Sequence, residues 1–338
     1  MAKPRVAING FGRIGKMVFR SNLQSQLLDI VAINDTSPAE MHAHMLEFDS
    51  TYGRLGAEHT VEAGENELIV DGKKIPMFCT RNPLELPWKD VGVDIVLECT
   101  GAFRDRAGAG QHITAGAKRV IISAPGKDVD ATFVIGANEE TFDPEKHIII
   151  SNASCTTNCL APLARVLDEA FGIEKGFMTT VHAYTNDQNI LDASHKDIRR
   201  ARAANLSLIP TSTGAARALG EVLPQLAGKL NGVAVRAPTP TVSLVDLVCE
   251  LKRAPANAAE VNSVIEEASK GRLKGILELE KRPLVSVDFR GNPHSSIVDA
   301  ELTMTMGSML KIFSWYDNEW GYSMRTVELA AKVGALSA

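Results

Sequence analysis

Residues 8–15 read INGFGRIG, and the fold turns on how that octet is interpreted. It overlaps the end of a β-branched run, RVAIN (5–9), and leads into a helical pattern over 12–24. Gly10 suits a tight turn between strand and helix. Gly12 lets the backbone approach a pyrophosphate, and Gly15 lets the helix pack against the sheet. The helix N-terminus that follows attracts phosphate charge through its unpaired amides and its dipole. A glycine turn of this spacing can also be purely structural. Here strand, loop and helix come in the required order, and Asp35 follows the second run, DIVAIN (29–34). A carboxylate at that point is placed to accept a hydrogen bond from an adenosine ribose, so the stretch reads as a dinucleotide site.

Further along the chain, VDIVLE (93–98), KRVIIS (118–123) and HIIIS (147–151) continue the series of apolar runs. Such near-continuous runs suit strands buried on both faces of a parallel sheet. Helical patterns at 38–48 and 106–117 alternate with them. The fold class is therefore α/β, with a doubly wound, Rossmann-type dinucleotide-binding domain over 1–154. After Gly172 the texture changes. GFMTTVHAY (176–184), VSLVDLVCEL (242–251) and SMLKIFSWYD (308–317) mix polar and apolar residues, as strands with one wet face do. Helical patterns at 214–226 and 257–270 interrupt them. A second, α+β and mainly antiparallel domain is expected over 155–317. The amphipathic EWGYSMRTVELAAKV (319–333) predicts a helix, so 318–338 is expected to complete the first domain.

The 338 residues are 45% hydrophobic and 23% charged, ordinary for a soluble globular protein, and long enough for two domains. A net charge of −5 argues against a nucleic-acid binder, which would carry surplus Lys and Arg. No stretch approaches the ~18 apolar residues of a membrane helix, and the N-terminal run is too short for a secretory signal. Five scattered cysteines fit reduced thiols. A soluble, cytoplasmic protein without membrane contact is expected.

SNASCTTNCLAP (151–162) raises four readings: a metal clip, a disulfide, an ordinary helix start, or a nucleophile. A zinc site needs further Cys or His ligands nearby, and the chain has no second such pair, so no metal is expected. A disulfide between residues one helical turn apart suits neither bridge geometry nor a reducing compartment. Cys159 fits a buried structural cysteine, one turn inside a helix with an apolar stripe. Cys155 falls at the helix start, where free amides and the dipole favour thiolate over thiol. Asn152, Ser154, Thr156 and Thr157 surround it with capping groups and donors. A partner base is offered by His182 in TTVHAYTNDQ (179–188). A strand histidine is often only structural, and spacing does not show that the two meet.

Together INGFGRIG, SNASCTTNCLAP, HAYTNDQ, STGAA, RAPTP and SWYDNEWGYS closely resemble the phosphorylating glyceraldehyde-3-phosphate dehydrogenase family, over essentially the whole chain. The resemblance implies that Cys155 is the nucleophile and His182 its base. It implies oxidation of glyceraldehyde 3-phosphate through a cysteine thioester that inorganic phosphate converts to 1,3-bisphosphoglycerate, in glycolysis, gluconeogenesis or carbon fixation. It would place the substrate phosphate near Thr185, Arg200 and Arg236, and the attacking phosphate near Ser154, Thr156, Thr213 and Gly214. For the cofactor NAD it adds Arg13, Ile14, Arg81, Ser123 and Asn318 to Gly10, Gly12 and Asp35. The polar stretch 184–205 resembles the family's S-shaped loop, which implies a homotetramer. The basic KDIRRAR (196–202) reads alternatively as a solvated face or, least well, a nucleic-acid patch.

Ala193-Ser194 stands where strictly NAD-dependent members carry Leu-Pro. With Thr36 it resembles the dual-cofactor, photosynthetic members. Asp35 favours a free 2′-hydroxyl, whereas Thr36 and a neighbour's Ser194 supply donors for a 2′-phosphate. NADP is therefore expected as a second cofactor. The rival readings are an erythrose-4-phosphate dehydrogenase and a catalytically silent NAD-binding interaction protein.

Overall fold

A computed structural model describes residues 2–337. It divides into two units. The first runs through Phe133, takes in Glu139–Ala153 and resumes from Ser323; the second comprises Val134–Asn138 and Ser154–Tyr322. The division thus falls before Ser154, not after it, because Ser154 caps the helix that follows. Val134–Asn138 joins the second unit because Arg165 donates to the Ala137 carbonyl (2.8 Å) and Gly136 packs on Leu273 and Ile276.

The first unit begins β1 (Arg5–Asn9), α1 (Arg13–Ser25), β2 (Asp29–Asn34) and α2 (Ala39–Glu47). A small ribbon of β3 (Phe48–Asp49) and β4 (Gly53–Arg54) precedes the meander β5 (Val61–Gly64), β6 (Glu67–Val70) and β7 (Lys73–Phe78). Then come α3 (Trp88–Val91), β8 (Ile95–Glu98), α4 (Arg106–Thr114), β9 (Arg119–Ile122), β10 (Ala131–Thr132) and β11 (Ile149–Ser151). Nine strands form one sheet in the order β10-β11-β9-β8-β1-β2-β7-β6-β5. Every residue of β8 and β11 is buried, as strands sandwiched between helices require. β1 pairs in parallel with β2 on one side and β8 on the other. Strand order reverses there, which opens a crevice beyond the carboxyl end of β1. The antiparallel meander at 61–78 has no counterpart in the sequence reading, because its short runs are interrupted by charges and by Pro76.

The second unit contains α5 (Cys155–Phe171), β12 (Ile173–Ala183), β13 (Ile209–Ser212), α6 (Ala215–Val222), β14 (Leu230–Ala237) and β15 (Ser243–Leu251). It continues with α7 (Ala258–Lys270), β16 (Leu277–Glu280), β17 (Ser296–Asp299), β18 (Met304–Met306) and β19 (Met309–Tyr316). The last helix, α8 (Trp320–Leu336), starts in this unit and ends in the first. The main sheet runs β13-β14-β12-β15-β19-β17-β16 with β18 on β19, mostly antiparallel; β12–β14 and β16–β17 are its parallel pairs. Buried and half-buried residues alternate along β15 and nearly so along β19. α5 lies on the buried face, against β12, β15, β17 and β19, and packs on α6 and α7. Residues 184–208 form neither helix nor strand, and internal pairs such as Arg202–Asp192 (3.0 Å) hold them.

Candidate active site

Cys155 is the first residue of α5. Ser154 caps this helix: its Oγ accepts from the Thr157 amide at 3.0 Å. His182 sits on β12, on the face that α5 covers, and is buried. The two meet: Cys155 Sγ is 3.4 Å from His182 Nε2. Tyr316 of β19 holds the geometry from below. Its hydroxyl is 2.8 Å from Thr156 Oγ1 in the first turn of α5 and 2.9 Å from Thr180 Oγ1, two residues before His182.

Parallel pairing of β12 and β14 puts Arg236 in register with His182. Arg236 Nη1 lies 2.7 Å from His182 Nδ1 and 2.9 Å from the Ala183 carbonyl, while Nδ1 is also 2.7 Å from that carbonyl. A guanidinium only donates and a carbonyl only accepts, so the two compete for Nδ1: facing Arg236 it is an acceptor, facing the Ala183 carbonyl a donor. Burial, reinforced by Arg236, holds the His182 pKa down at about 3. Burial also pushes the Cys155 thiol up, and Arg236 and Thr156 only partly oppose it. In the free chain, desolvation of the sulfur thus opposes the acidifying effect expected of the helix start. At neutral pH the pair is a neutral thiol beside a neutral imidazole.

Arg236 Nε is buried with no partner, an orphan donor that an anion would satisfy. Thr185 lies half-buried beyond the end of β12. Arg200, expected with these two, is anchored to Asp187 and to Thr211 Oγ1 (3.1 Å) on β13, two residues before Thr213. Thr213 Oγ1 accepts from the Ala215 amide at the start of α6 (3.2 Å), and Gly214 faces open space. The hydroxyls of Ser154 and Thr156 are already engaged, with Thr157 and Tyr316, so these positions offer an anion chiefly their helix-start amides.

In the first unit a cleft of about 460 Å³ beyond β1 is lined by Gly10, Gly12, Asp35, Thr36 and Arg81, among others. Gly10 has φ +92°, and a Cβ there would come within 2.6 Å of the Thr100 nitrogen. A Cβ on Gly15 would overlap the Gly10 carbonyl oxygen, whereas one on Gly12 would point into open space. Gly12 also precedes α1 with no side-chain cap, which leaves the first amides of the helix, Ile14 among them, for a phosphate. Asp35 accepts from the Phe11 and Thr36 amides, each at 2.6 Å. Burial would raise its pKa, but His42 and these two amides together hold it well below the usual carboxylate range. The cleft fits a dinucleotide. Arg13 pairs with Asp49, and Ser123 bonds the Glu98 carbonyl (3.0 Å); neither is among the residues that line it. Ser194 and Asn318 belong to the second unit, Ser194 exposed and Asn318 buried.

Sequence reasoning missed Tyr316, Thr180 and Ser243. Ser243 Oγ accepts from the Ala183 amide (3.1 Å) and donates to Asn318 Oδ1 (2.9 Å), which orients that carboxamide. Its neighbour Val242 carries a signal visible only in the backbone, a β-branched residue at φ +66°. All five cysteines are free, and among the described residues no helix is long and apolar enough to cross a membrane.

Comparison with known proteins accords with this geometry. Residues 4–106 match the family model for the glyceraldehyde 3-phosphate dehydrogenase NAD binding domain, and 154–318 match that for the C-terminal domain. The chain is 57% identical to glyceraldehyde-3-phosphate dehydrogenase 1 of Bacillus subtilis, over 97% of this chain and 98% of that one. It is 55% identical to the Geobacillus stearothermophilus glyceraldehyde-3-phosphate dehydrogenase, over 98% of each. It is 54% identical to the chloroplastic A form of Chlamydomonas reinhardtii, over 97% of this chain and 88% of that one. A nucleotide cleft at a strand-order switch, a cysteine–histidine pair at a helix start and full-length identity converge: this chain belongs to the glyceraldehyde-3-phosphate dehydrogenase family.

Proposed function

We propose that the chain oxidises glyceraldehyde 3-phosphate to 1,3-bisphosphoglycerate by covalent catalysis on Cys155. The observation that carries this reading is the 3.4 Å contact between Cys155 Sγ and His182 Nε2, backed by Arg236. Arg236, with its free Nε, takes the substrate phosphate together with Thr185 and Arg200. Once Arg236 turns to that anion, His182 Nδ1 is free to donate to the Ala183 carbonyl, which leaves a lone pair on Nε2 toward the thiol. Cys155 then gives its proton to His182, the sulfur adds to the aldehyde carbon, and His182 passes that proton to the former carbonyl oxygen, which completes a thiohemiacetal and leaves the imidazole neutral again. His182 next accepts the hydroxyl proton of this adduct as the carbon loses its hydride. Bound NAD supplies the hydride acceptor. The product is a thioester on Cys155. A phosphate oxygen, held at the helix-start amides of Ser154 and Thr156 and by Thr213 and Gly214, attacks the acyl carbon, and the thiolate leaves.

Exposed Thr36 and Ser194 support acceptance of NADP beside NAD. A homotetramer is supported by apolar side chains that single-chain folding leaves outside, among them Phe177, Ile190, Ile198 and Leu206. The deciding experiment compares Cys155→Ser with the parent chain, with and without inorganic phosphate. The parent is expected to form an acyl phosphate only when phosphate is present, and the variant to lose at least ~10³-fold in kcat while its NAD Kd is unchanged. Undiminished oxidation by Cys155→Ser would refute the scheme.

A further inference from the structure

Lys16, the fourth residue of α1, is only 4% exposed and lies beneath the glycine loop. Its Nζ donates to the Phe11 carbonyl, stands 3.0 Å from His42 Nδ1 and sits 4.9 Å from the centre of the Phe11 ring. His42, on α2, is equally buried, and its Nε2 is 3.4 Å from Asp35 Oδ1. An ammonium has no lone pair, so His42 Nδ1 is the acceptor and its ring proton is carried on Nε2, which is buried, makes no hydrogen bond and has the Asp35 carboxylate beside it. The mechanism above uses neither residue. An ammonium taken out of water is costly unless its partners are good ones, so a lysine buried here calls for a reason.

We propose that Lys16 and His42 form a relay that positions the Asp35 carboxylate and offsets its charge. In this way they set how strongly the chain discriminates between a free 2′-hydroxyl and a 2′-phosphate on the adenosine of its cofactor. The idea rests on the reading that Asp35 faces the adenosine ribose. With the ammonium present, the Lys16–His42–Asp35 group is neutral in sum. Without it, a full negative charge confronts an incoming 2′-phosphate, whereas a hydroxyl still finds its acceptor.

Burial lowers the Lys16 pKa to about 8; Asp35 and Asp49 pull it back up and Arg13 pushes it further down. The charged neighbours are Asp35 after β2, Asp49 on β3, and Arg13 and Arg20 on α1; His42 faces it from α2. Arg13 is paired with Asp49, and Arg20 is bonded to the Leu46 carbonyl (2.6 Å). Asp35 is held ionised far below neutrality. Between pH 7 and 9 the ammonium is therefore the charge that changes. A 2′-phosphate is already doubly ionised across that window, since its second pKa is about 6.

The test is calorimetric Kd for NAD and for NADP at pH 7, 8 and 9, on nucleotide-free protein. In the parent chain the ratio Kd(NADP)/Kd(NAD) is expected to rise roughly three- to tenfold from pH 7 to 9, as loss of one charge at this range implies. Lys16→Arg keeps the charge and should hold the ratio at its low-pH value. Lys16→Met should hold it at the high-pH value, and His42→Leu should flatten the pH profile. Asp35→Asn probes the underlying reading separately, because it should lower the ratio at every pH. If Asp35→Asn lowers it while the parent profile is flat and Lys16→Arg is indistinguishable from the parent, the relay is wrong. If Asp35→Asn leaves the ratio unmoved, the ribose reading falls and takes the relay with it. Should Lys16→Met not fold, the parent profile and Lys16→Arg decide.

Discussion

His182 is held between a sulfur and a guanidinium, and both its burial and the guanidinium keep it unprotonated. This has a consequence for stability. The folded pKa, about 3, lies below the ordinary 6.5, so in that interval the unfolded chain binds a proton that the folded chain refuses. The associated stability is present above pH 6.5 and is lost as pH falls toward 3. Urea unfolding of His182→Gln at pH 7 and pH 4.5 should show a smaller acid loss than the parent, by on the order of a few kcal/mol. Equal losses in the two chains would contradict the assignment. The sequence already placed Cys155 at a helix start, because capping residues and an apolar stripe are local signals. It did not show that the sulfur is desolvated, nor that the Ser154 and Thr156 hydroxyls are committed to Thr157 and Tyr316.

Elements join these residues into working parts, and two contacts can be tested. A methyl group on Gly15 would overlap the Gly10 carbonyl, so Gly15→Ala must displace the turn that precedes α1. Its NAD Kd is expected to weaken by at least ~10-fold, since the amides that would face a pyrophosphate shift with the turn, while Gly214→Ala, open on the Cβ side, leaves NAD binding intact. Tyr316 ties α5 to β12, and Tyr316→Phe strips both Thr156 and Thr180 of a hydroxyl partner. A loss of about 1–3 kcal/mol in urea unfolding is expected, with a lower kcat and an unaltered NAD Kd. An unchanged kcat would show that the catalytic pair keeps its geometry without this tie. Strands β1, β2, β15 and β19 were legible within a residue or two, the first two because their apolar runs are nearly continuous and the last two because their burial alternates. The meander at 61–78 and strands β16 to β18 were not, because these short runs acquire strand character only from the neighbours they pair with.

For the whole molecule, the exposed apolar residues of β12 and the 184–208 segment predict association. Ile198 is 85% exposed and Phe177 72%, a poor arrangement for a lone chain in water. Sedimentation velocity is expected to show the proposed tetramer for the parent chain and smaller species for Phe177→Glu combined with Ile198→Glu; a parent that sediments as a monomer would refute the association, and an assembly unchanged by the two substitutions would place the interface elsewhere. Near-neighbour physics let the sequence alone determine the alternation of strand and helix, the glycine turn before α1 and the cysteine at a helix start. Each depends on residues within a few positions of one another. What only the tertiary structure decided is which distant groups meet and how they are charged. His182 lies 27 residues from Cys155 and 54 from Arg236, and Tyr316 lies 160 from Thr156. Cross-strand register brings them together, and desolvation sets their protonation. Both are properties of the assembled sheet and helix, and no run of residues read in isolation contains them.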